Sequence, residues 1–348
     1  MSVTASGRKP TLAAIARTTG VSTPTVSKVV NGRSDVAAET RAKVLAALEE
    51  AGYESPTQRR ATGAPSLVDV AFDAIDSDYA STVLNGILDY AAAVDVEVVL
   101  SVTGSHGVRR DGGGRDDLGR KAQRMADEDR AGIILVTSAF TESHLAAFRR
   151  RRIPVVVIDP LNPPPPDVTS IGATNWAGGR AAAEHLLELG HRRIAYLGGP
   201  ETAECNQARL HGYMSALMSR GVDVDPSLVI HGKFRMEHGI TGLAALLSQP
   251  ERPTAIFAGN DAIAVGVLRE ARRRGIHVPE ELSLVGFDGT ALAEDSVPAL
   301  TSVTQPLRDM GRTALRTLLR QARGEKLDSH RVELATQLVV RESSASPG

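Results

Sequence analysis

The residues best suited to chemistry lie near the amino terminus, and their chemistry is hydrogen bonding to a polyanion. From Thr11 to Asn31 the chain reads TLAAIARTTGVSTPTVSKVVN. Leu12, Ile15 and Ala16 mark one helical apolar face, Thr19-Gly20 interrupts it, and Val21, Val26, Val29 and Val30 mark a second. This spacing predicts a helix-turn-helix. Ser22 occupies the N-cap position and Pro24 falls in the first turn, where a missing backbone N–H costs nothing, so the second helix begins near Thr23. A helix entering a major groove by its amino end would present Thr23, Pro24 and Lys28 to base edges. Ser22, Thr25, Ser27 and Asn31 are left for phosphates, and Thr11 is a further candidate contact. Five Lys or Arg (Arg8, Lys9, Arg17, Lys28, Arg33) and no acid occur before Asp35.

Other chemistries find little support. The patterns GxSxG, HExxH, GxxxxGK[ST] and GxGxxG are absent, and the dispersed histidines have no motif-spaced nucleophile, so no catalytic residue is expected. The one cysteine, Cys205, excludes an intramolecular disulfide framework and a cysteine-based metal site; no metal or cofactor is implied. Charge is divided along the chain. Residues 1–62 hold nine Lys or Arg against five Asp or Glu, net +4, and the rest holds 31 against 36, net −5. A basic head on an acidic body fits a protein with one nucleic-acid-facing end. The polar amino terminus and the lack of an 18-residue apolar run predict a cytoplasmic protein.

Several elements must position these residues. A third helix is expected over 39–50, with Val44, Leu45 and Leu48 inward. Residues 54–66, ESPTQRRATGAPS, have linker composition. From Leu67 apolar runs alternate with helical periods: strands near 67–73, 96–102, 132–136 and 154–158, with helices near 79–94, 118–129 and 141–151. A second series follows, with strands near 193–198, 228–231, 254–258 and 282–286 and helices near 176–189, 207–221, 236–248 and 261–274. Such alternation implies parallel sheets covered by helices, an α/β core behind an all-α head. The stretch 104–117 is read as a surface loop, its His106 without a second ligand at metal spacing, and Pro163–Pro166 as a stiff connector.

The segment TLAAIARTTGVSTPTVSKVVNGRSDVAAETRAKVLAALEEAGY resembles the DNA-binding headpiece of the LacI family of bacterial repressors. TSIGATNWAGGRAAAEHLLELGHRRIAYLGGP, ARLHGYMSAL and PTAIFAGNDAIAVGVLREARRRGIHVPEELSLVGFDG resemble its effector-binding core, in the same order. The resemblance implies a headpiece over 1–53, a hinge over 54–66 and a periplasmic-binding-protein-like core over 67–341. The first subdomain would take 67–190 plus 303–332 and the second 191–302 plus 336–341, with 342–348 a disordered tail. Relatives usually cap the third helix with Ser where this chain has Ala37, so the cap is missing or moved to Asp35. Their hinge forms a helix on the operator and wedges a leucine into the minor groove. Here no leucine lies between Leu48 and Leu67, and the wedge position falls near Ala61 or Thr62, with Arg59 and Arg60 before it to hold phosphates.

Effector positions implied by the resemblance are Asp73, Asp76, Ser77, Tyr79, Arg209, Asn260 and Asp288. Sugar hydroxyls need paired donors and acceptors, and an Arg fork and a carboxylate from opposite walls of a cleft meet that need. Trp176 and Phe234 are candidate plates beneath a ring, while Asp261 is assigned to a helix cap and Asp159 to a strand end. The expectation is a homodimeric transcription regulator, a repressor by preference, binding a near-palindromic operator and a sugar. A purine or aromatic metabolite is the alternative effector. The carboxyl-terminal ESSASPG has no leucine heptad to join dimers into tetramers.

Overall fold

The computed structural model describes residues 11–30, 33, 35–51, 53, 66–103 and 117–348. The expectations for Asn31, Arg59, Arg60, Ala61, Thr62 and His106 fall outside the described residues.

The headpiece consists of α1 (Leu12–Thr19), α2 (Thr23–Val30) and α3 (Ala38–Glu50). Thr11 caps α1, its hydroxyl accepting from the Ala14 N–H at 3.2 Å, and Gly20 ends it in the left-handed region at φ 69°. Ile15, Val26, Val29, Val44 and Leu48 form a small shared core. Leu45 is not part of it. With Val44 and Leu48 one turn apart on the inner face, Leu45 is rotated off that face and stands 49 % exposed. No side chain caps α3 at Ala37, which costs about 1 kcal/mol relative to a serine or threonine cap. Asp35 instead pairs with Lys28.

The core begins with β1 (Ser66–Phe72), α4 (Asp78–Ala93), β2 (Val96–Val102), α5 (Asp117–Asp127), β3 (Gly132–Val136), α6 (Glu142–Arg150), β4 (Val155–Ile158) and β5 (Thr169–Ala173). It continues with α7 (Asn175–Glu188), β6 (Ile194–Gly198), α8 (Glu204–Ser219), β7 (Val229–His231), α9 (Met236–Leu247), β8 (Ala255–Ala258), α10 (Asp261–Arg274) and β9 (Ser283–Asp288). The remaining elements are α11 (Ala291–Asp295), β10 (Thr301–Thr304), α12 (Leu307–Ala322), β11 (Arg331–Leu334) and β12 (Gln337–Val339). Two six-stranded sheets result, ordered β11-β5-β4-β3-β1-β2 and β12-β10-β9-β8-β6-β7. The described pairings are parallel, with β1 against β3 in the register Val70↔Ile134, except that β12 runs antiparallel to β10. No described helix is long and apolar enough to cross a membrane.

The chain passes between the two sheets three times, and packing fixes where. Ala182, Ala183, Leu186 and Leu187 of α7 pack with Tyr196, Phe257 and Phe287, so α7 covers the second sheet and the first crossing lies at Thr174, not near 190 as the resemblance implied. β10 pairs with β9, which moves the return crossing to 305–306; α12 then packs Met310, Leu315 and Leu318 against Val70, Ile134 and Val156 of the first sheet. β5 was not expected from the sequence. Its Thr-Ser-Ile-Gly-Ala run has one branched apolar residue, Ile171, where β4 has four, yet it is buried between β4 and β11. The carboxyl-terminal segment is also ordered, contrary to expectation. Ser343 is fully buried, exchanging bonds with Leu284, and Ala345 accepts from Ser283 and lies 2.9 Å from His191 Nε2.

Candidate functional site

Parallel strands bring their carboxyl ends to one edge, where side chains in the following loops converge. Asp73, Thr137 and Asp159 follow β1, β3 and β4. Asn260 follows β8, and Asp288 closes β9. These edges face each other across a cavity of about 520 Å³ whose lining also includes Tyr79, Arg209 and Phe234.

Arg209, on α8, is the most constrained of these residues. It is 2 % exposed, its Nε donates to Asn175 Oδ1 at 2.8 Å and its Nη1 to the Gly259 carbonyl at 2.6 Å. The guanidinium lies 3.8 Å from the Phe287 ring centroid and 5.7 Å from that of Phe234. Asp288 sits beside it, Oδ1 at 3.5 Å from Nη1, and also accepts from Gln305 Nε2 at 2.7 Å. The two residues share one wall instead of facing each other. The wall opposite is Tyr79, whose hydroxyl donates to Asp159 Oδ2 at 2.7 Å.

Burial dominates the electrostatics. It pushes the Asp288 carboxyl up to about 8, against the pull of Arg209 and with reinforcement from Asp261. The long ion pair explains why Arg209 does not win, since its Nη1 is already committed to Gly259 at a shorter distance. Burial likewise raises Asp159, with Tyr79 and Arg209 opposing, and raises Asp261 to about 6. Tyr79 is raised by burial and by Asp159 beside it. A carboxyl that keeps its proton near neutrality both donates and accepts, which matches a hydroxyl-bearing ligand. Asp288 and Asp159 each have positive φ, 103° and 41°, unusual outside glycine and characteristic of functional loops.

The remaining candidates divide. Phe234 lines the cavity, as do Asp73, Asp76, Ser77 and Asn260. Asp76 is bound to Arg235 of the other wall at 3.0 Å, and the Ser77 hydroxyl accepts from Ala80 N–H as the cap of α4. The helix cap expected of Asp261 is made by Asn260, whose Oδ1 accepts from Ile263 N–H at 2.9 Å, leaving only its amide N–H₂ for a ligand. Asp261 instead holds Thr290 and Ser302 through bonds of 2.8 and 2.6 Å. Trp176 is not in this cavity. Asn175 turns inward to Arg209, so the next helical position is rotated away; Trp176 is 46 % exposed beneath Arg180 and lines a separate space of about 230 Å³. Sequence reasoning assigned Asp159 to a strand end only and missed Thr137, Asn175 and Gln305. For Asp159 the signal was available, an acid closing an apolar strand as Asp288 does.

In the headpiece, Thr23, Pro24 and Lys28 are exposed along α2. Lys28 Nζ is 2.7 Å from Asp35 Oδ2. Ser22 is occupied as a cap, accepting from Thr25 N–H at 3.3 Å and lying 2.9 Å from its hydroxyl, while Ser27 is half-buried.

Comparisons with known proteins give the same two-part division. Residues 11–55 match the description "Bacterial regulatory proteins, lacI family", and residues 183–344 match "Periplasmic binding protein-like domain". Catabolite control protein A of Priestia megaterium is 32 % identical over 95 % of this chain and 98 % of its own length. The solved complex of the transcriptional regulator CelR with cellobiose superposes with a TM-score of 0.71 at 30 % identity, covering 96 % of this chain and 99 % of that one. The lac repressor dimer bound to operator and the anti-inducer ONPF gives 0.70 at 27 %, covering 97 % and 100 %. With a helix-turn-helix head, a two-sheet core and relatives that regulate transcription and are not enzymes, this chain belongs to the LacI family of bacterial regulatory proteins.

Proposed function

We propose that the protein is a homodimeric repressor that binds a near-palindromic operator and is controlled by an uncharged carbohydrate held between the two core subdomains. One observation supports the effector class above the others. The cavity carries seven carboxyl residues (Asp73, Asp76, Asp78, Asp159, Glu237, Asp261 and Asp288) against three cations, of which Arg209 is bonded to Asn175 and Gly259, Arg235 to Asp76, and Lys233 has a partner of its own. An anionic effector would meet this excess of carboxyl residues, whereas hydroxyls can share Tyr79, Asp159, Arg209 and Asp288 as they stand. The solved relative with cellobiose in its complex is consistent with this class. Support for a dimer comes from the first subdomain, where Leu88, Leu100 and Val102 are 43–47 % exposed on α4 and on the edge strand β2.

A thermal-shift screen of the whole protein against neutral sugars, purines and aromatic acids tests the effector class, because a ligand at 100 times its Kd stabilises by about 2.7 kcal/mol. Calorimetry then compares wild type with Asp288→Asn, and fluorescence anisotropy measures operator binding by the same two proteins. Effector affinity should fall at least tenfold in the variant while operator affinity without effector barely changes. A purine hit with no sugar hit overturns the carbohydrate reading. Loss of both affinities together assigns Asp288 to the fold.

A further inference from the structure

The first subdomain carries a second cavity, of about 470 Å³, at the opposite edge of its sheet from the cleft. It opens among three connections at the amino ends of the strands: α6 to β4, β4 to β5, and α12 to β11. Its apolar walls are Leu145, Ile153, Val168 and Leu327. At its base Gln321 donates through Nε2 to Thr169 Oγ1 at 2.8 Å, and that hydroxyl lies 3.0 Å from His330 Nδ1. The Gln321 Oε1 is buried without a hydrogen-bond partner.

Its charges are arranged differently from those of the cleft. The acids of the lining are already engaged, Asp167 with Arg149 at 2.7 Å and Glu325 with Arg320 at 3.0 Å. Among the described residues Arg152 and Lys326, both exposed at the rim, have no such partner. Arg152 stands two residues past the end of α6 at φ 57°, where glycine ordinarily closes a helix and a side chain is disfavoured. The chain therefore places an arginine where the backbone alone would favour glycine.

We propose that this cavity is a second ligand site, taking a small organic phosphate monoester whose apolar body lies on Leu145, Ile153 and Leu327 and whose dianion meets Arg152 and Lys326. It is separate from the effector cleft, and its ligand acts on the same subdomain by joining the end of α6 to the end of α12. Guanidinium and ammonium groups without competing partners suit a double charge, and the apolar walls suit an organic body.

Phenyl phosphate is the probe, with benzyl alcohol as its uncharged counterpart, and methyl NMR of the whole protein is the readout. Saturable shifts of Leu145, Ile153 and Leu327 methyls are expected with phenyl phosphate, at least tenfold weaker binding in Arg152→Gly/Lys326→Gln, and none with benzyl alcohol at the same concentration. Arg152→Gly relieves the left-handed position, so the melting temperature of that single variant should rise or hold, which separates lost binding from lost folding. Equal binding of benzyl alcohol overturns the proposal. So does binding retained by the double variant, a shift confined to the cleft methyls of Leu161 and Leu292, or no saturable shift at millimolar probe. None of these outcomes depends on the carbohydrate reading of the cleft.

Discussion

Lys28 and Asp288 are ionisable residues in opposite settings. Lys28 is exposed and its partner Asp35 is an exposed acid, so the pair is worth little in water and yields readily to a base edge. Lys28→Ala is therefore expected to lose about 1–3 kcal/mol of discrimination at one base pair per half-site, measured on a panel of operator variants. A uniform loss across the panel would make Lys28 a phosphate contact. Asp288 is buried, and its pKa of about 8 lies far above the ordinary 3.8. The folded state then binds this proton more tightly than the unfolded chain, so the contribution of Asp288 to stability is largest below about pH 4 and falls as pH rises to about 8. Melting temperatures of wild type and Asp288→Asn should consequently diverge in favour of the variant between pH 5 and pH 8. A pH-independent difference would show the carboxylate to be charged throughout.

At the scale of elements, the site depends on how closely α7 and α8 approach. A Cβ on Gly179 would collide with the Arg209 backbone carbonyl, and one on Gly212 with the backbone carbonyl of Trp176. These are backbone atoms of packed helices and neither can step aside. Gly212→Ala should thus destabilise the fold by about 1–3 kcal/mol, read as a lower melting temperature, and weaken effector binding by moving Arg209 out of line with Asn175 and Asp288. Unchanged effector affinity with lowered stability would show that Arg209 is positioned by Phe287 and Gly259 alone. The three crossings between subdomains belong to this scale too. They make α12 and β11 first-subdomain elements inserted between β10 and β12 of the second sheet, so neither subdomain is a continuous stretch of chain.

For the molecule as a whole, two headpieces gain affinity only if one dimer presents both to one operator. Leu100 lies on the edge strand β2, where an apolar side chain 43 % exposed is unfavourable unless covered. Leu100→Asp should shift sedimentation from dimer toward monomer and reduce operator affinity by more than tenfold, with effector affinity preserved in the monomeric core. A variant that remains dimeric and binds operator normally would place the interface elsewhere.

Local spacing alone determined the helix-turn-helix, because Ile15, Val26 and Val44 lie on faces set by a 3.6-residue period and the cap Ser22 is set by immediate neighbours. Strand-helix alternation likewise determined the α/β class of the core, and the quoted motifs located Arg209 and Asp288. What only the tertiary structure decided are the relations between distant residues. It put Arg209 and Asp288 on one wall and Tyr79 with Asp159 on the other, removed Trp176 from the cavity, gave the helix cap to Asn260 and buried Ser343. Most of these depend on which face of a helix turns inward or which strand pairs across a crossing, and those choices are made by burial and backbone pairing between residues far apart in the chain, beyond the reach of any local period.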